Sequence, residues 1–235
     1  MTVSEYYSYS DQKLTFTRAD ASAFAKEIAG DFNPIHDPDN RRFCVPGDLL
    51  FAVVLDLFAA RETMNFHFEN MVDDRVELLV QSSADGLQLT DQSGKNYLEV
   101  SHRGEKLADS SANAALIDAY VKLSGKTFPF LLVDLMQSHQ VMINPQRPLV
   151  IYKSMSIELN NTDCAHFDLS FSESSLLVEG KKGEVVLQFD IVGDGAIVGR
   201  GRKNMLLGGL REYDQDVIDE LVSEYNDIKT RYLSE

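Results

Sequence analysis

The apolar positions change their period along the chain. Lys13-Leu-Thr-Phe-Thr17 alternates, which predicts a strand after a polar, tyrosine-rich lead-in over residues 1–10. Ala21, Phe24, Ala25 and Ile28 then step by three and four, which predicts a helix with one apolar face. Thr17 and Asp20 supply its N-terminal cap and Gly30 its stop. From Leu49 to Ala60 the chain is apolar nearly all round, the mark of a helix buried on every side. Pro46-Gly47 opens it. Its short length and the charges of Asp48 and Asp56 set it apart from a membrane span. Period two returns in Met64–Phe68, Arg75–Val80, Leu87–Thr90 and Tyr97–Val100, with turns at Asp85-Gly86 and Ser93-Gly94. A helix followed by an antiparallel meander predicts an α+β fold, a curved sheet packed on residues 49–60.

Residues 103–113 are polar and uneven, and mark the boundary between two halves, 1–108 and 109–235. Helices are expected over 114–121 and, as a second buried helix, over 128–136 from near Pro129. Strands are expected over 150–159, 167–171, 184–192 and 196–205, with a hairpin turn at Gly193-Asp194-Gly195. No helix follows these glycines, so they do not read as a dinucleotide fingerprint. Ile218, Leu221, Tyr225, Ile228 and Tyr232 form one stripe of a C-terminal helix over 214–232. The stripe packs on the sheet or captures a partner helix; patterning alone serves both.

Composition narrows the function classes. A net charge of −15 argues against nucleic acid, whose binding rests on neutralising phosphates. Neither a membrane span nor a secretory signal is present in the sequence, and two cysteines do not make a disulfide framework, so a bacterial-type cytoplasmic protein is expected. His67, His102, His139 and His166 are dispersed without metal-ligand spacing, and no metal or cofactor is expected. Serine-esterase, P-loop and zinc motifs are absent from the sequence.

Chemistry concentrates between the first two helices, in Gly30-Asp-Phe-Asn-Pro-Ile-His36 and Pro46-Gly-Asp-Leu-Leu50. Pro34 fixes its own backbone angle and pushes Asn33 out of the helical region. The turn can therefore hold the Asp31 carboxylate and the His36 imidazole in fixed relation. An imidazole accepts a proton from water near neutral pH, and a carboxylate orients the water or shares the task. The first N–H groups of the next helix lack partners, and Gly47 lets a carbonyl oxygen or an anion approach them. Arg41-Arg42 is the basic pair nearest the motif; Arg200, Arg202 and Lys203 read as scattered surface charge. Cys44 is near the site by sequence and reads as a plain buried thiol; a nucleophilic role would need a lowered pKa.

These residues resemble the hydratase motif of the MaoC-like (R)-specific enoyl hydratases of the hotdog superfamily. The whole stretch also resembles a bacterial family of hotdog-like proteins without an assigned activity. The resemblance implies a hotdog fold; two halves, each a helix followed by strands, suggest that it is doubled in one chain, as a pseudo-dimeric monomer or a homodimer, with a single hotdog carrying a long embellishment as the alternative. It implies an acyl-CoA or acyl-carrier thioester as ligand and Asp31 and His36 as the pair that activates water toward a trans-2-enoyl thioester. It places Gly47 at the thioester carbonyl, with Asn33, Arg41 and Arg42 as further binding residues. The second half lacks the motif and becomes a non-catalytic partner shaping the binding tunnel. Three positions depart from the family pattern. The His36–Gly47 connection is short, Pro46 replaces a usual His, and Asp48 replaces an apolar residue. A carboxylate aimed at the oxyanion position would oppose the charge that develops there. The direction of Asp48 therefore separates a hydratase from a non-catalytic acyl-binding protein; a thioesterase and an interaction protein are the remaining readings.

Overall fold

The computed structural model describes residues 2–107 and 109–234. In chain order the elements are β1 (Ser8–Ser10), β2 (Lys13–Thr15), α1 (Arg18–Ala23), α2 (Gly47–Phe58), β3 (Arg61–Phe68), β4 (Leu78–Ser82), β5 (Gly86–Thr90) and β6 (Asn96–Lys106). There follow α3 (Ser110–Ser124), α4 (Leu132–Ser138), β7 (Val141–Met142), β8 (Leu149–Leu159), β9 (Phe167–Glu179), β10 (Lys182–Gly193), β11 (Ala196–Gly208), β12 (Arg211–Glu212) and α5 (Gln215–Ser234).

Ten strands make one sheet in the order β1-β2-β4-β5-β6-β3-β8-β11-β10-β9, and β7 and β12 pair separately. Counted outward from the β3–β8 junction, one side runs β3-β6-β5-β4 and the other β8-β11-β10-β9. Each side thus orders its strands first, fourth, third, second. The junction is antiparallel, with Met64 opposite Ile157 and Phe66 opposite Met155. This is a hotdog fold, doubled in one chain and sharing one sheet.

Helix α2 is the centre. Leu49, Leu50, Phe51, Ala52, Val53, Val54 and Leu55 are all buried, as an all-round apolar helix must be. They share one core with Phe66, Leu78, Leu89 and Leu98 of the first side and Ile157 and Phe189 of the second. The second buried helix is α3, not residues 128–136 as the apolar run there predicts. Leu116, Ile117, Tyr120 and Val121 of α3 are buried, and the Tyr120 ring lies 4.3 Å from Phe51 and 5.7 Å from Phe189. The Asn113 amide ties the two helices, accepting from the Ala60 N–H and donating to the Leu55 carbonyl. Residues 127–131 break at extended Phe128, and only Leu132 and Met136 of α4 are buried. The reason is that Asp109 caps α3 a full turn before the predicted start, which gives it a longer buried face.

One other expectation is corrected. Ser8–Ser10 of the lead-in pairs with Lys13–Thr15 as a hairpin. The polar stretch over 103–113 is divided between the end of β6 and the start of α3; Ala108, at the expected boundary, lies outside the described residues. The Gly193 hairpin is as predicted, with Asp194 and Gly195 both at positive φ in a two-residue turn.

Candidate functional site

The turn after the first helix is built from its own side chains. Past Ala23 the helix widens over Phe24–Ala29 and ends at Gly30, in the left-handed conformation at φ 70°. The Asp31 carboxylate then accepts the Asn33 N–H at 2.9 Å, and the Asn33 amide oxygen accepts the Ile35 N–H at 3.2 Å. Asn33 is extended, as a residue before proline should be, and caps a single tight turn over Pro34–His36. Asn33 thus serves the turn itself through its Oδ1. The Lys26–Asp37 ion pair at 2.7 Å and the Arg18 bonds to Asp74 and to the Pro38 and Asn40 carbonyls hold the loop to the helix before it.

The turn brings Asp31 and His36 together. His36 Nδ1 lies 2.7 Å from the Cys44 carbonyl oxygen. That oxygen can only accept, so Nδ1 carries the proton and Nε2 of the neutral ring presents a lone pair. Nε2 faces Asp31 Oδ2 at 3.7 Å. Two acceptors at that spacing suit one water, with its oxygen about 2.8 Å from each. The imidazole is mostly enclosed and the carboxylate more open, at 11% and 29% side-chain exposure. Arg41 and Arg42 are exposed on the following loop, and neither makes an ion pair among the described residues. Burial pushes the Cys44 thiol up to about 12, against the weaker effect of a backbone hydrogen bond, which disfavours the thiolate that a nucleophilic role needs.

Gly47 and Asp48 begin α2, but they face different surroundings from Asp31 and His36. A Cβ at Gly47 would lie 2.6 Å from the ring of Tyr152, so glycine is required for that ring to pack on the helix start. Asp48 is buried. Its Oδ2 accepts the Ser124 hydroxyl at 2.5 Å, and its Oδ1 faces the Lys203 ammonium at 3.6 Å. Lys203 also donates to Ser124 Oγ and lies 4.1 Å from the Tyr152 ring centroid. The Tyr120 and Tyr152 hydroxyls bond to each other. Burial first, then the Asp48 charge, holds the Tyr120 phenol well above the ordinary tyrosine value against the lowering hydrogen bonds of Tyr152 and Ser124, and burial first, then Tyr120 and Asp48, does the same for Tyr152.

This second cluster was not foreseen, and it corrects the expectation of Lys203 as surface charge. The signal was present in the period of the strand. Gly201, Lys203, Met205 and Leu207 alternate with Arg202, Asn204 and Leu206, and the first set is buried. Arg200 and Arg202 are on the exposed face, where Arg200 pairs with Asp190 and Arg202 bonds Asn204. Helix α5 differs from expectation as well. Ile218 packs into the core beneath α4, but Tyr225 and Tyr232 lie against Phe32 in the motif turn.

The chain is therefore a doubled hotdog with a carboxylate–imidazole pair in the turn before its central helix. It belongs to the DUF3581 family, described as proteins of unknown function, whose profile matches residues 1–216. No curated protein matches it. Solved structures with a similar trace include the acyl-CoA thioesterase II TesB2 from Mycobacterium marinum, at 10% identity and TM-score 0.41 over 72% of this chain and 90% of that one. A bifunctional dehydratase-cyclase domain in ambruticin biosynthesis is similar at 9% identity and TM-score 0.40, over 93% and 99% of the two chains. A MaoC-like dehydratase is similar at 10% identity and TM-score 0.40, over 86% and 99%. No helix among the described residues is long and apolar enough to cross a membrane.

Proposed function

We propose that this protein binds an acyl thioester beside the Asp31–His36 pair and adds water across a trans-2-enoyl thioester. The observation that carries the reading is the contact of His36 Nδ1 with the Cys44 carbonyl, which leaves Nε2 facing Asp31 Oδ2 at 3.7 Å. A water held between them has its oxygen lone pair free to attack C3 of the enoyl group. His36 takes one water proton as the C–O bond forms, while the C2=C3 electrons move toward the thioester carbonyl. The proton then passes to C2, leaving a 3-hydroxyacyl thioester. General acid–base help of this kind is worth about a hundred- to ten-thousand-fold. The Gly47 N–H at the start of α2 is the group that would polarise the carbonyl. Asp48 does not oppose it with a free charge, because Lys203 compensates its carboxylate. Exposed and unpaired, Arg41 and Arg42 offer the phosphates of a carrier a basic patch on an acidic chain. On this reading residues 1–108 form the hotdog that carries the motif, and residues 109–235 the half that completes the pocket.

One observation favours a second reading, acyl binding without turnover. The Tyr152 ring covers one side of the helix start at Gly47. Purified protein and a series of trans-2-enoyl-CoA substrates separate the two. Loss of the conjugated enoyl-thioester absorbance, abolished by Asp31→Asn and by His36→Ala in folded protein, supports hydration. Release of free thiol in the same reactions would instead mean thioester hydrolysis. Calorimetric binding of acyl-CoA with neither signal would leave a binding protein, and no binding at all would overturn the acyl-thioester assignment.

A further inference from the structure

The C-terminal helix reaches back across the whole chain to the motif turn. Ile218, in its first turns, is buried against Leu132, Met136 and Leu176. Tyr225, two helical turns later, sends its hydroxyl to the backbone on either side of Asp31. It accepts the Phe32 N–H at 3.1 Å and donates to the Gly30 carbonyl at 3.1 Å. One phenol oxygen has a proton and lone pairs enough for both bonds together. The ring itself is fixed edge-on to Phe32, at 6.1 Å, and to Phe128, at 5.3 Å. Phe32 is fully buried, so its N–H has no water to fall back on if the phenol oxygen is removed.

The two members of the pair are held from different directions. His36 is fixed by Cys44, through the Nδ1 contact with its carbonyl and the Cys44 N–H bond to Ile35. The carbonyl before Asp31 and the N–H after it both end on Tyr225, while the Asp31 N–H bonds the Ala25 carbonyl at 2.8 Å and its Oδ1 accepts the Asn33 N–H. The spacing between carboxylate and imidazole is therefore set by the turn's own bonds, by the loop at 44 and by a residue of α5 far along the chain. We infer that Tyr225 is a positioning residue for Asp31, and that α5 sets the geometry of the Asp31–His36 pair through this one hydroxyl. The inference rests on the proposed role of that pair for its effect on turnover, but not for its effect on geometry.

The test uses the full-length chain with Tyr225→Phe, which keeps the ring and removes the oxygen. Ile218→Ala, on the same helix but remote from the turn, controls for a loosened α5. The geometric readout is the ring 15N resonances of His36. In wild type, Asp31→Asn should shift them. In the Tyr225→Phe background the same substitution should shift them by less than about half as much, whereas in the Ile218→Ala background the full effect should remain. If the enoyl thioester is turned over, Tyr225→Phe should lower kcat about tenfold with KM within about twofold, since a misplaced group costs rate rather than binding. Equal Asp31→Asn shifts in the wild-type and Tyr225→Phe backgrounds would overturn the inference. So would the same loss of coupling in Ile218→Ala. Failure of the hydratase reading shows separately, as no turnover by wild type, and leaves the resonance comparison to decide this one.

Discussion

Two polar clusters lie on either side of the approach to α2, and they handle charge in opposite ways. Asp31 is partly open, at 29% side-chain exposure, with His36 enclosed beside it, and no lysine or arginine among the described residues pairs with Asp31. Asp48, Ser124 and Lys203 are closed in, with 11% and 7% side-chain exposure at the two charges and a hydroxyl bridging them. A carboxylate near water keeps its solvation and needs no cation, so its lone pairs remain available to a substrate or a water. A carboxylate in the core loses solvation worth several kcal/mol and must be matched by a nearby cation. That match joins α2, α3 and β11. The difference teaches which acidic residue in this motif can do chemistry and which has become part of the frame, although both sit in one short stretch of sequence.

Breaking the buried pair should have the largest effect. Lys203→Met leaves Asp48 in the core without its cation, and should lower stability by about 3–5 kcal/mol in urea unfolding. Asp48→Leu combined with Lys203→Met removes both charges and should recover most of that loss. A double variant no more stable than Lys203→Met alone would mean that the ion pair is not what the single variant disrupts.

The seam beside the pair comes next. In Gly47→Ala the new methyl group would lie 2.6 Å from Tyr152 Cδ1, so the ring or the helix must move. Overpacking of this kind costs about 1–3 kcal/mol. Tyr152→Ala alone should also destabilise, by opening a cavity. The two together should cost less than the sum, because the methyl then has room. Strict additivity in the same unfolding assay would show that Tyr152 does not confine Gly47.

A smaller effect follows from Cys44, which closes the other cluster from behind. Burial pushes its thiol up to about 12 in the fold, against 9.0 for an unhindered thiol. The neutral form is thus favoured by folding. Stability should be unaffected below about pH 9 and should fall as pH rises from there toward 12, because only the unfolded chain ionises. By pH 10 the loss should be about 1 kcal/mol. Cys44→Ala should remove that part of the alkaline slope, and an unchanged slope would place the effect in other groups.

Local signals read well from the sequence because local physics writes them. Gly30 stops a helix, Pro34 stiffens a turn, and Asp194-Gly195 turns a hairpin, each by its own backbone preference. The all-round apolar run over 49–55 could only be interior. What could not be read were choices settled by distant partners. Ser174 and Ser175 lie beyond the strand expected over 167–171, yet they belong to β9 because Leu187 and Val186 of β10 pair with them. The apolar run at 128–136 was outcompeted for the interior by α3, whose first turn, Ser110-Ser-Ala-Asn113, does not read as helix. Ser124 and Tyr225 carry no local mark of their contacts, and Lys203 only the inward period of its strand, since their partners are far away in the chain.

The smallest stability effect should come from the residue with the largest proposed chemical role. Asp31→Asn keeps an oxygen at Oδ1 to accept the Asn33 N–H, so the turn is preserved. The carboxylate makes no ion pair with a lysine or arginine that the change would break. Its unfolding free energy should therefore stay within about 0.5 kcal/mol of wild type. Enoyl-thioester hydration should nevertheless be lost, because the amide replaces an anionic acceptor beside Nε2 with a weaker, neutral one. Measured side by side, Asp31→Asn and Lys203→Met should move stability and turnover in opposite proportion. A large stability loss in Asp31→Asn would make Asp31 a framework residue like Asp48 and leave His36 as the only candidate of the pair for acid–base work.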